Sequence, residues 1–311
     1  AITTGDSNIA LGHDALTAML TGSNNIAIGK GALDASDAES NNLAIGLDAL
    51  GGAITSDGVK NVAIGNYSLD SNTSGDENIA IGYEALQTNQ TGEKNTAIGF
   101  AAMAYSTGDK NTAIGYKAMN INTGGTKNVA VGHVALYNNT DGQKNTAIGY
   151  EALYSATGSG NTSLGHWSGY EPSATAITSG SNNVIIGQNS NVDDGAAVNR
   201  IVIGQGATGL DDNTVTLGNG SITNWLPTDD DEVSLGSSSK EFDDLHVDGT
   251  AFLDALGFGT VVMELPTADG SADQVLKTDG SGNLDWTDNE AANLNGLSDL
   301  LIEATSSMYI G

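Results

Sequence analysis

A short apolar word, Asn-x-Ala-Ile-Gly, recurs along the chain, and between its copies the sequence turns polar. One copy reads Asn111-Thr112-Ala113-Ile114-Gly115-Tyr116-Lys117-Ala118-Met119, followed by a polar stretch with Thr123-Gly124. Aligned on the Ile-Gly step, the glycines fall at 12, 29, 46, 65, 82, 99, 115, 132, 149 and 165, with spacings of 17, 17, 19, 17, 17, 16, 17, 17 and 16. Looser copies follow at Gly187, Gly204, Gly218 and Gly236. Self-similarity at a fixed short period marks a stacked architecture in which each unit buries its apolar face against the next.

Asn-x-Ala-Ile predicts a short strand, and Ala-Met (elsewhere Ala-Leu) predicts a second. The glycine between them allows a corner that a Cβ would obstruct, and Thr-Gly supplies the return turn. Seventeen residues are too few for two helices and a turn. The expected fold is all-β: a fibrous β-solenoid of ~17-residue coils stacked at the inter-strand distance. Fourteen coils would rise on the order of 65 Å at that distance, leaving open strand edges that need a cap or a continuation.

Each position of the word forms a column. Before the glycine stands Ile, Leu or Val, from Leu11 to Leu164; before that stands Ala, from Ala10 to Ala147, and then Ser163. Adjacent strand residues face opposite sides, so one apolar column can fill the coil interior while the other needs a partner, most simply another copy of the chain. Asn25, Asn42, Asn61, Asn78, Asn95, Asn111, Asn128 and Asn145 form an amide column suited to coil-to-coil hydrogen bonds, with an ion or ligand site as the alternative. Gly29, Gly46, Gly65, Gly82, Gly99, Gly115, Gly132 and Gly149 are the structural corners. After the glycine, Tyr83, Phe100, Tyr116, His133, Tyr150 and His166 make a ring column on successive coils. It reads either as cross-strand stacking or as a sugar-binding strip. Lys60, Lys94, Lys110, Lys127 and Lys144 precede the Asn, with Glu93 and Asp109 beside two of them. Stacked like charges repel, which favours a solvated column with acidic neighbours; a receptor-binding stripe is the other reading.

Composition narrows the function. Aromatics are only 5% of the chain and Gly is 42 of 311 residues, so the core is aliphatic and the turns are frequent. A net charge of -28 opposes nucleic acid and anionic membrane surfaces as partners, and keeps copies apart in solution. There is no cysteine, hence no disulfide or thiolate site, and no apolar run long enough for a transmembrane helix. The histidines (13, 133, 166 and 246) lack metal-ligand spacing, and the first three share one column. Neither a nucleophile elbow nor a P-loop occurs. Acids are scattered in turns without the pairing that glycoside hydrolysis requires, so no enzyme, metal or cofactor is expected. Asp193-Asp194 and Asp229-Asp230-Asp231-Glu232 offer a cation only bulk charge, with a solvated turn as the simpler reading.

The chain divides by rhythm. Residues 1–169 are regular coils; residues 170–236 continue irregularly, with residues 166–182, including Gly169 and Pro172, read as an inserted loop. Residues 237–290 carry bulkier apolar groups and read as a small β knob, with a hairpin from Gln274 to Trp286. Residues 291–311 read as a short helical or connecting segment, since Leu294, Leu297 and Leu301 keep helical spacing. Ala1 falls inside a repeat, and Met308-Tyr309-Ile310-Gly311 reads as a strand just begun, so a longer chain is expected at both ends.

Repeats such as Asn25-Ile26-Ala27-Ile28-Gly29-Lys30-Gly31-Ala32-Leu33 and Asn145-Thr146-Ala147-Ile148-Gly149-Tyr150-Glu151-Ala152-Leu153 resemble two families. One is the head repeat of trimeric autotransporter adhesins; the other is the repeat of tail fibres from tailed phages, particularly marine ones. The stretches 234–249 and 265–280 look more phage-like. The resemblance implies a left-handed β-roll in a parallel homotrimer, extracellular, on a virion or a cell surface. It implies a tail-fibre segment that projects and mediates host attachment, with a bacterial trimeric adhesin or extracellular filament subunit as the alternative. Its partners would be its own copies, end-to-end continuation included, and a cell-surface glycan or protein receptor.

Overall fold

Each described copy of the word closes into a strand of only three residues, x-Ala-Ile, because the Asn before it and the Gly after it are both committed to turns. The computed structural model describes residues 4–35, 38–52, 58–170, 177–224, 226, 255–258, 261–264, 271, 274–278 and 284–288. Thirteen of these strands, from Ile9–Leu11 to Val215–Leu217, form one parallel sheet in which each pairs with the next copy along the chain. The register is like for like: Ala113 lies beside Ala97 on one side and Ala130 on the other. A sheet that pairs each copy with the next is a parallel β-solenoid, here of about 12 turns. At about 4.8 Å per turn it rises roughly 60 Å. The fourteenth coil, at Gly236, lies outside the described residues.

The corner glycines explain the sharpness of the bend. Gly115 has φ +136°, and a Cβ there would lie 2.3 Å from the carbonyl oxygen of Gly132 in the coil above. The same close approach recurs along the stack, so glycine is required on steric and conformational grounds.

The second strand is not formed. The Ala-Leu or Ala-Met pair lies in a turn, with Met119, Leu136 and Leu153 left-handed at φ 50°, 50° and 48°. Lys117, Val134 and Glu151, two residues earlier, are left-handed as well. Left-handed residues two apart curl the chain instead of extending it. Each costs roughly 1 kcal/mol. The cost is offset because the leucine or methionine becomes fully buried and its N–H still bonds to the next coil, as Met119 does to the carbonyl of Ala135 at 2.9 Å. Among the described residues, two-residue strands occur only beyond that turn, Tyr105–Ser106 beside Ile121–Asn122 and Asn191–Val192 beside Thr208–Gly209.

The interior is a column of small side chains plugged by a larger one. Ala80, Ala97, Ala113, Ala130 and Ala147 are fully buried, as are Ala85, Ala102, Ala118 and Ala135 across from them and Leu86, Met103, Met119 and Leu136 beside these. The amide column crosses this core. Asn111 Oδ1 accepts the N–H of Asn128 at 2.9 Å, and its Nδ2 donates to the carbonyl of Gly125 at 2.9 Å. The pattern runs unbroken from Asn8 to Arg200. The bonds are mainly from side chain to backbone; amide-to-amide contacts are added only at places such as Asn128 to Asn111. A second amide column, Asn72, Asn89, Asn122 and Asn139, bonds the glycine three residues on within its own turn.

Of the inserted loop expected over 166–182, residues 166–170 continue a coil and Ile177 is buried in the core, while residues 171–176 lie outside the described residues. The register survives the longer step, with Ser163 beside Ile185. The chain divides into two units, residues 1–226 and 227–311. In the second, Ala255–Phe258 pairs antiparallel with Val261–Glu264 and Gln274–Thr278 with Leu284–Asp288, the latter being the hairpin expected there. The helical reading of 291–303 lies outside the described residues.

Candidate functional site

With Asn and Ala turned inward, the wall of the solenoid is built from what lies between them. On a middle coil the outward order is Lys, x, Ile and ring. The x and Ile columns are half-buried to exposed: Leu11 is 65% exposed, Ile114 38% and Val215 62%. They form an aliphatic stripe thirteen strands deep, relieved in the middle by Thr96, Thr112, Thr146 and Thr162.

The ring column stacks on itself. From Tyr83 through Phe100, Tyr116, His133 and Tyr150 to His166, successive centroids are 4.8–5.3 Å apart and the planes lie within 6–13°. Tyr67 meets Tyr83 edge-on at one end, and Trp167 tilts over His166 at the other. Coil spacing and ring stacking distance coincide, so each ring covers its neighbours' faces. The ring edges remain open, whereas a sugar needs an open face. Mutual stacking is therefore the better description of the column. Glu84 and Glu151 bond the hydroxyls of Tyr83 and Tyr150, which raises both phenols above their ordinary range. His13 shares the column position but pairs with Asp14 at 2.6 Å instead. A second ladder, Tyr137–Tyr154–Tyr170, has centroids 5.0 and 4.9 Å apart. The sequence reading passed over it, although its position five residues after the corner glycine was a usable signal.

The lysine column is exposed throughout. Acidic neighbours were expected to accompany it, and two lysines have them: Lys60 reaches Glu77 at 3.4 Å and Lys94 reaches Glu93 at 3.2 Å. Asp109, beside Lys110, is used otherwise and accepts the N–H of Glu93 at 3.0 Å.

Acidic groups do not assemble into a centre. Among the described residues, no cluster of three or more metal-ligating side chains occurs. Asp34 and Asp70 are pushed above the usual carboxylate range, first by burial and then by neighbouring aspartates, including Asp48. Asp193, raised above as a weak cation ligand, is bound to the buried Arg200, and Asp194 accepts the N–H of Ala196. The 229–232 run and His246 lie outside the described residues. No helix among the described residues is long and apolar enough to cross a membrane.

No known protein family, curated protein or solved structure matches the chain. The repeat and the β-solenoid therefore define its class, a parallel β-solenoid repeat protein.

Proposed function

We propose that the chain is a structural, non-enzymatic segment of an extracellular attachment fibre, a phage tail-fibre stalk that projects and mediates attachment to a host cell surface. In this reading it assembles as a parallel homotrimer of left-handed coils, with residues 237–290 as a knob or junction. The observation that carries the reading is the aliphatic stripe: two outward columns along thirteen strands, left open by a chain whose interior is already filled. Contiguous apolar surface on that scale is the mark of an interaction face. The same register on every copy makes a symmetric self-association the simplest cover. The number three and the virion come from the resemblance of the repeats. The non-enzymatic reading is supported by carboxylates such as Asp76, Asp109 and Asp193, which are taken up by backbone N–H groups and Arg200.

Analytical ultracentrifugation tests the assembly. Three times the chain mass is expected for the wild type, and a lower mass for Ile114→Asp combined with Ile148→Asp. A wild-type monomer at micromolar concentration would sink the trimer. Antibody-labelled micrographs test the setting: label on virion tails is expected, and label on bacterial surfaces would transfer the chain to the adhesins. Reducing ends released from bacterial polysaccharide would overturn the non-enzymatic reading.

A further inference from the structure

We infer that the middle of the solenoid wall carries a binding strip for a linear acidic polysaccharide, formed by Lys94, Lys110, Lys127 and Lys144 on four successive coils. It rests on the attachment reading for its purpose, and on the lysine column alone for its chemistry.

The first argument is backbone conformation. The column is left-handed on every coil, with φ 57°, 59°, 60° and 58° at these lysines. Elsewhere it holds Asn24, Asn41, Gly160, Asn182, Asn199 and Asn213, which tolerate that conformation, and Ser7, Lys60 and Glu77, which do so less readily. Four lysines in succession occupy a backbone position that six of the other nine described coils give to Asn or Gly.

The second argument is charge. Lysines one coil apart are roughly 4.8 Å apart at the backbone, close enough to repel. Among the described residues, no carboxylate lies within ion-pair distance of Lys110, Lys127 or Lys144. The surrounding sequence is segregated as well. Residues 93–151 hold five lysines against four acids, whereas residues 1–92 hold two bases against eleven acids. In a chain of net charge -28, this lysine belt is where a polyanion meets the least repulsion.

The third argument selects the anion. Single-stranded nucleic acid needs open ring faces on which bases stack, and the adjoining rings have theirs covered by one another. A bilayer is broad and would meet the acidic coils as well as the belt. The strip is one side chain wide and runs along the coil axis, with the half-buried hydroxyls of Thr96, Thr112 and Thr146 two residues further along the chain. An extended chain of uronate or sulfated sugars fits this shape: it is thin, carries anions at intervals of the sugar repeat, and offers hydroxyls between them.

The test titrates the full chain with fluorescent polygalacturonate and dextran sulfate, with neutral dextran and an oligothymidylate as comparators. Binding to both acidic polysaccharides is expected, weakening steeply with added salt, with none to neutral dextran. Lys110→Asn, Lys127→Asn and Lys144→Asn combined should weaken it by about tenfold or more. The melting temperature should stay or rise, because Asn is the native residue of other coils. Lys60→Asn, which removes one charge from an ion pair, should bind nearly as the wild type does. Absence of binding at low salt, equal binding by the triple variant, or tighter binding of the oligothymidylate would each overturn the inference. Sedimentation of the same samples separates the two proposals: a monomer that binds sinks the trimer and keeps the strip, and a trimer that fails to bind does the reverse.

Discussion

Up to Ala156 the coils fill their interior with alanines, once Ser68 in their place, and one leucine or methionine; from Ser163 onward the same space is filled by other means. Ser163 and Ser168 replace alanines and bond each other at 2.7 Å, and Ser168 Oγ donates to the carbonyl of Ile185 at 2.8 Å. Gly169 stands where the leucine would be, and Ile185 of the next coil reaches toward it, with Cδ1 3.5 Å from where a Cβ would sit. Bulk has moved from one position to another while each coil remains full. The amide column ends in the same region: Arg200 takes the asparagine place, buried, and its guanidinium binds Asp193, Asp212 and the carbonyl of Gly209. Asn191, buried nearby, finds no partner for either end of its amide. The solenoid thus demands constant volume and a continued hydrogen-bond path from each coil, and is indifferent to which residues supply them.

That lesson is sharpened by comparing equivalent positions in the two regions. Gly115→Ala should have the largest effect, a loss of about 3 kcal/mol or more, because a carbonyl and the φ both oppose the methyl group. Gly169→Ala should cost about half as much, since its closest obstacle is the movable end of Leu153; urea denaturation of both variants measures the difference. Next, Asn111→Ala should cost about 1–3 kcal/mol, by leaving the Asn128 N–H unpaired in the core and removing one of the two donors to the Gly125 carbonyl. Arg200→Ala should instead release only the last coils, read as hydrogen exchange that accelerates after Val198 and not before Gly149. Ala113→Phe should lower stability by about 1–3 kcal/mol by overfilling the layer, against less than about 0.5 kcal/mol for Thr112→Phe on the wall; equal melting temperatures would contradict the burial of the alanine column.

The smallest effect is electrostatic. Asp70 holds a folded-state pKa above its unfolded 3.8, chiefly through burial. The folded state therefore binds that proton more tightly, and the ionised group opposes folding at neutral pH. Acidification through the folded value toward 3.8 should remove the opposition. Asp70→Asn should raise the melting temperature slightly at neutral pH, and the gain should vanish in acid.

The parallel stack was legible because its period is fixed by identity at single positions. In the regular coils the positions of Asn111, Ala113 and Gly115 keep one residue type almost without exception, so they repeat visibly. The apolar pair Ala118-Met119 was read as a strand because a bulky left-handed residue is improbable in isolation; only the bonds of the neighbouring coil make it affordable, and those do not appear in a single repeat. The amides of Asn72, Asn89, Asn122 and Asn139 were missed because Ser106 and Ala156 interrupt their column. The lysine column was plain in the sequence. That Asp109 would be taken by a backbone N–H and leave Lys110 unpaired depended on three-dimensional placement.

The hydrogen bonds joining one turn to the next run along the axis of the stack. Tension applied between its two ends would therefore open the ladder rung by rung, never sliding all rungs at once. Each rung that yields frees a loop of about 17 residues, roughly 55 Å of chain when drawn out, before the next is loaded. Under pull, such a stack would lengthen in steps and dissipate a tug that would otherwise reach whatever it is tied to.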